Sequence, residues 1–370
     1  MSRSRVVRFS PLLLVVAALA AWVVPDPNVD ANGMKLSAAA PKSMGAMTFG
    51  PNNTLFVGDV DDGSILALQI DDAATAGGAI NVTGVDAKIA QLLGTTPQEI
   101  VINDLAVHPV SKNVYLTVTR GRGAGATPVL FKVTRNASRP IEEVSLANVR
   151  FSVASIPNAP ASNPTARRNP RTQVITDIAF ADGQVWVAGL SNEEFSSAFR
   201  RIPFPFNQKL ETTTLEIYHV SHGQNETNAP VMTFLPTKIS GTPYILAAYT
   251  CTPLVAFEAQ TLKNGQHVFG RTVAELGAGN RPLDMISYQR DGKDVILIAN
   301  SSRPLMRVEA AAIANGQALK SPTKELGITR STIEQPGVSQ LSDLDNQFVV
   351  VLQAGKEGGL DLRSIAKSTL

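Results

Sequence analysis

Cysteine is almost missing from this chain. Cys251 is the only one in 370 residues, so no intramolecular disulfide can brace the fold and stability must come from a packed core. Charge is also scarce. Charged residues make up 17%, and the balance of 33 basic against 31 acidic leaves a formal net charge of +2. Such a chain steers neither strong anions nor strong cations. With aromatics at 6% and no basic stripe interleaved with them, nucleic acid is not an expected partner. Beyond residue 24 no apolar run is long enough to span a bilayer. Several chemistries are missing as well: the sequence has no G-x-S-x-G elbow, no C-x-x-C-H haem attachment and no dinucleotide fingerprint. Arg120-Gly121-Arg122-Gly123-Ala124-Gly125 is rich in glycine but lacks the Lys-Ser/Thr ending of a phosphate loop. What remains is a chain with 44% apolar residues, which excludes disorder and permits a large core.

The N-terminus has the grammar of an export signal. Arg3, Arg5 and Arg8 precede an apolar stretch at 12–24 that Pro25 stops. At about 13 residues that stretch suits a secretory h-region and falls short of a span. Ala18-Leu19-Ala20 and, later, Val29-Asp30-Ala31 offer small residues for cleavage. The expected division is therefore a signal segment and short linker over 1–31 and one folded domain over 32–370. An exported protein, periplasmic or secreted, follows, without a transmembrane segment once the signal is cleaved. The alternative is an uncleaved anchor.

Within the domain one pattern recurs six times, at a spacing of roughly 50–70 residues. A short apolar strand turns through Gly, Asn, Asp or Pro into a second, more continuously apolar strand, and a polar loop leads to a third. The second strands lie at 55–58, 114–118, 185–189, 244–248, 295–299 and 348–352. Asp182-Gly183, Ser240-Gly241 and Asp291-Gly292 between apolar runs are hairpin signals, because glycine and its neighbour accept positive φ. A fourth, more polar strand is expected at 149–153, 215–218 and 268–273. A unit this small cannot bury both faces of its own sheet, whereas packing against two neighbours in a ring can. The expected fold is all-β: a β-propeller of six blades, with seven as the alternative count. The last unit has no clear fourth strand, so the stretch at 34–38 is expected to close the ring by entering the last blade. Residues 87–93, with Asp86 before them and Gly94 after, read as a short helix. Residues 157–171, with four prolines and three arginines, read as an exposed loop.

Two segments carry a family likeness. They are Met47-Thr48-Phe49-Gly50-Pro51-Asn52-Asn53-Thr54-Leu55-Phe56-Val57-Gly58-Asp59 and Ile175-Thr176-Asp177-Ile178-Ala179-Phe180-Ala181-Asp182-Gly183-Gln184-Val185-Trp186-Val187-Ala188. The chain resembles the six-bladed propellers of the NHL, gluconolactonase and YVTN-like type. The resemblance implies a fold more than an activity, because propellers host lactonases, lyases, redox enzymes and binding scaffolds alike. It also implies, for the metal-dependent lactonases, a central ion held by a Glu and several Asn or Asp. Met44-Gly45-Ala46 stands where that Glu is sought.

Three groups of residues are candidates for chemistry. Asp104, Asp177 and Asp284 sit at similar places on inner strands and would share the channel. They are read as loop-capping groups, as ligands of calcium or another divalent ion, or as a catalytic base. The tips after the second strands should gather at one channel mouth; Asp59, Arg120, Asn192, Thr250, Asn300 and Gln353 are the expected ligand-binding set. His219 and His222, with Glu226 beyond them, form an H-x-x-H pair that can share an ion only if the strand bends at Gly223 or Asn225. The functional expectation is a monomeric, non-enzymatic propeller that binds a small molecule or partner protein through one face. The alternative is a metal-dependent lactonase or esterase with a central ion.

Overall fold

The computed structural model describes residues 28–163, 165–167, 169–323 and 326–370; most of the expected signal segment lies outside them. Six sheets form, antiparallel apart from one parallel edge strand on the third, here called blades I to VI in the order of their first strands. Blade I holds Met47–Phe49, Thr54–Asp59, Ser64–Gln69 and Val149–Ser155, with Lys35–Ser37 on its outer edge. Blade II holds Ile100–Val107, Val114–Arg120, Thr127–Val133 and Ile141–Glu143. Blade III is built from Asp177–Ala181, Gln184–Leu190, Ser197–Pro203 and Glu211–His219, and blade IV from Val231–Ile239, Thr242–Tyr249, Pro253–Glu258 and Arg271–Glu275. Blade V comprises Pro282–Arg290, Lys293–Asn300, Leu305–Glu309 and Ser331–Ile333, and blade VI Val338–Asp343, Phe348–Ala354 and Leu360–Ala366.

The core is six apolar layers, one between each pair of neighbouring blades. The second strand of blade VI shows why. Val349 and Val351 pack toward blade V with Leu297 and Tyr288, while Val350 and Leu352 pack toward blade II with Leu116 and Phe131. Successive strand side chains point to opposite faces, and here both faces are dry. The remaining layers join blades I with II, I with III, III with IV and IV with V. Together these pairs close a ring in the order I–III–IV–V–VI–II. Six blades suffice, and among the described residues no sheet remains for a seventh.

That order is a permuted one. Blade II is inserted between the third strand of blade I, Ser64–Gln69, and its fourth, Val149–Ser155. The stretch at 149–153, expected as the outer strand of the second unit, therefore belongs to the first.

Closure also differs from expectation. Lys35–Ser37 pairs with Val149–Ser155 in blade I, not with the last blade. The fourth place in blade VI is taken by residues 80–82. Val82 and Leu362 exchange both backbone hydrogen bonds, at 2.8 and 2.9 Å. Two carboxylates latch the seam: Asp361 accepts from the Gly84 amide at 2.8 Å, and Asp86 accepts from the Leu360 amide at 3.0 Å. The helix Val85–Leu92 follows at once and buries Val85 and Ile89 between blades II and VI. Asp86 stands inside its first turn rather than before it, while Gly94, at φ 63°, ends it as read.

The predicted hairpins form. Asp182-Gly183, Ser240-Gly241 and Asp291-Gly292 all have positive φ at both positions, joining strands in two-residue turns. The strand read at 268–273 splits at Gly270. His267–Phe269 runs parallel to Glu211–His219 on blade III, and Arg271–Glu275 joins blade IV. A Cβ at Gly270 would lie 2.4 Å from Val255 and 2.5 Å from Phe257, so only glycine lets the chain cross there. The loop after blade I is exposed in part, but it is tied down. The fully buried Arg200 donates to Asn158 Oδ1, Val174 O and Leu190 O at 2.9, 3.1 and 2.7 Å.

Candidate functional site

The inner strands line the axis, and their axis-facing edges have no neighbouring strand to pair with. Unpaired amides there need acceptors. Asp104, Asp177 and Asp284 supply them in one repeated arrangement. Each carboxylate accepts from the next residue of its own strand: Leu105, Ile178 and Met285, at 2.7, 2.7 and 2.6 Å. The other oxygen accepts from the inner strand of the adjoining blade: Met47, Phe234 and Leu341, at 2.7, 2.8 and 2.6 Å. In all three clasps the partners stand 57 positions apart in sequence. In the ring order the aspartates occupy every second blade, II, III and V, and each staples its blade to the next: I, IV and VI. β-Bulges fall just before Asp104 and Asp284; an extra residue there re-aims the following side chain.

These carboxyls line an axial cavity of about 390 Å³ to which all six blades contribute. Its wall sets apolar side chains, Phe49, Phe234 and Met285 among them, beside a larger share of polar surface, and it runs from the carboxyl layer toward the first-hairpin turns at Pro109, Lys112 and Asp343. Asp343 is paired with Lys367 at 2.6 Å. On the other side of the layer, polar side chains lace the blades together. Asn103 donates to Met44 O at 2.9 Å and Thr119 Oγ1 at 2.8 Å, and Gln340 donates to Asn103 O.

Removal from bulk water disfavours ionisation, and three carboxyls in one small space repel one another. Burial, then the charges of Asp284 and Asp177, hold Asp104 well above the usual carboxylate range. Burial, followed by Asp284, pushes Asp177 up to about 7. Burial raises Asp284 to about 6. Near neutral pH the layer therefore shares protons. Each carboxylate has about four lone-pair positions and spends two on amides, so acceptor capacity is left for a guest in the cavity. These residues cap backbone amides, but the amides belong to inner strands and not to loops as the sequence suggested. Their oxygens do not form a three-residue group with every donor within 4.8 Å; among the described residues that spacing is met by His219, His222 and Glu226.

The six tip residues stand at the opposite ends of the strands from this cavity. Asp59, Asn300 and Gln353 are buried and organise their own loops. Asp59 accepts from the amides of Lys42, Ser43 and Asp62 at 2.7–3.0 Å. Asn300 donates to Ile298 O and Pro304 O and accepts from Asn280. Gln353 bridges Pro336 O and Arg363. Thr250 is half-buried, and Arg120 and Asn192 are exposed. Asn192 lines a separate cleft on the outer edge of blade III with Glu193, Lys209 and His267. Lys112 and Asp343, at the rim of the axial cavity, were not singled out from sequence. They lie in or beside hairpin turns, where polar residues are ordinary.

No family model matches the chain, and no curated protein matches it. Solved structures do. An aldose sugar dehydrogenase from Streptomyces coelicolor, solved with bound PQQ, aligns over 90% of this chain and 96% of its own, with 11% identity and a TM-score of 0.36. A putative glucose dehydrogenase-type oxidoreductase from Thermus thermophilus aligns over 90% and 100%, with 12% identity and a TM-score of 0.36. A putative 6-phosphogluconolactonase from Bacteroides uniformis aligns over 90% and 79%, with 10% identity and a TM-score of 0.33. The fold assignment rests on the sheets and the ring they close.

Proposed function

We propose that this chain is an exported β-propeller that binds a small molecule in the axial cavity, entered from the face of the first-hairpin turns. The observation that carries the reading is the cavity itself. All six blades wall it, its lining joins apolar side chains to a larger share of polar surface, and at its end three carboxyls retain acceptor capacity. A guest with an ammonium group or several hydroxyls would meet those carboxyls, and its carbon skeleton would rest against Phe49, Phe234 and Met285. A cation there offsets the repulsion that holds the carboxyls protonated, so binding of an amine favours their ionised forms.

The test is calorimetric titration of the full chain with a panel of small amines, polyols and sugars. A ligand of this site binds one per chain, loses at least tenfold affinity in Asp284→Asn, and, if cationic, weakens as pH falls through about 7 to 6. A panel without a binder, or a binder indifferent to Asp177→Asn and Asp284→Asn, would count against the reading.

A further inference from the structure

A second set of chemical groups lies away from the axis, on the outer hairpin of blade III. The strand Glu211–His219 ends at a four-residue turn, and Gln224–Glu226 pairs back on it with His219 opposite Gln224 and Ile217 opposite Glu226. Gly223, at φ 65°, makes that turn. Paired residues and residues two apart share a face. Glu226 therefore lies on the side of Ile217 and His219, and the turn swings His222 over the same side. The two imidazole rings come to 3.8 Å between centroids. His219 Nδ1 is 2.9 Å from Glu226 Oε2, and His222 Nδ1 meets Glu226 Oε1. One nitrogen from each histidine and one carboxylate oxygen lie within 4.8 Å of one another.

The surroundings fix the tautomer of His219. Its ring is fully buried, and its Nε2 lies 3.4 Å from Thr252 Oγ1. Thr252 donates its own proton to Glu275 Oε2. Glu275 is buried as well and also accepts from the Val220 amide and Ser221 Oγ, both at 3.1 Å. Thr252 thus presents only a lone pair to His219, so Nε2 carries the proton and Nδ1 turns a lone pair toward Glu226. The Nδ1 lone pair of His219 and the Glu226 carboxylate then face His222 Nδ1, on a half-exposed ring free to take the tautomer that bares this nitrogen. A metal ion satisfies all three groups at once. A ligating histidine whose other nitrogen donates to an outer partner is the usual support of a metal site. His219 has 1% of its side chain exposed and His222 46%, so one side of the group is walled and the other open.

We infer that His219, His222 and Glu226 form a binding site for a divalent transition-metal ion, with zinc the best match to two imidazoles and one carboxylate. Three protein ligands leave a fourth position open to solvent on the His222 side, the layout in which a bound water becomes acidic. Thr252 and Glu275 act as positioning residues. They hold the His219 ring without touching the ion.

The full chain, freed of metal with a chelator, is titrated with zinc ions against a chromophoric competitor, and with cobalt(II) followed by visible absorption. One zinc per chain is expected. His222→Ala, at a half-exposed position that does not threaten folding, weakens binding at least a hundredfold, as does Glu226→Gln. Thr252→Val weakens it about 10–100-fold. Cobalt bands of a four- or five-coordinate site appear in the native chain and vanish in His222→Ala. Absence of stoichiometric uptake overturns the inference. So does uptake that survives His222→Ala and Glu226→Gln unchanged, because the ion would then sit elsewhere.

Discussion

Replacing Asp177 with Asn tests the carboxyl layer through its dependence on pH. The folded pKa of about 7 lies above the ordinary 3.8. The folded chain therefore binds this proton more tightly than the unfolded chain. Stability from this group is fullest at low pH, falls as pH rises from about 4, and levels off above about 7. Between about pH 5 and pH 7 the loss, at up to about 1.4 kcal/mol per unit and less near the midpoint, is about 2 kcal/mol. Asp177 is only partly buried because its carboxyl meets the cavity, and water there screens the effect to about 1–2 kcal/mol. The Asn variant does not titrate. It keeps one acceptor oxygen but loses the other, stranding the amide of Phe234 or Ile178 at a cost of about 1–3 kcal/mol. At about pH 5 the variant should therefore be less stable by that amount. At about pH 8.5 the native chain has lost its own advantage, and the two should agree to within about 1 kcal/mol. Urea unfolding followed by far-UV circular dichroism at both pH values measures the difference. An equal gap at both values would refute the reasoning, since Asp177 would then carry the same charge throughout.

Other changes probe the ring. Val82→Pro removes the amide donated to Leu362 O and should cost about 1–3 kcal/mol; amide exchange across Leu360–Ala366 should quicken, and unchanged exchange would place the seam elsewhere. Gly189→Ala sets a Cβ 2.3 Å from Val174 O at a φ of 154°, so a loss of at least about 2 kcal/mol is expected; a melting temperature equal to that of the native chain would argue against that close approach. Arg200→Ala leaves the carbonyls of Val174 and Leu190 without their donor and removes a large buried side chain. It should lower stability by about 3–5 kcal/mol and expose the segment at 157–174 to protease, and a resistant variant would show that another contact holds that loop.

The six-fold repeat, the two-residue hairpins and the helix were legible because each is a local signal. Apolar strands alternate with turn residues whose backbone needs are specific, and Asp182-Gly183 or Asp291-Gly292 states its turn without help from the rest of the chain. Asp104, Asp177 and Asp284 were found for the same reason, each recurring at one place in the repeat. Among the tips, polarity located the loops but did not say where the side chains turn. Asp59, Asn300 and Gln353 turn inward to satisfy their own backbone.

The sequence by itself determined that the chain makes small, doubly apolar sheets that must lean on one another. Tertiary structure alone decided which sheet leans on which. A strand such as 149–155 buries the same face whether it completes blade I or blade II, so its pattern does not identify the neighbour. Residues 80–82, which close blade VI through a single bridge, are too short to carry a strand signal. The clasps across 57 positions and the meeting of His219, His222 and Glu226 depend on where distant strands and one bent hairpin come to rest. Those placements follow from ring closure and turn geometry, which act only once the whole core has formed.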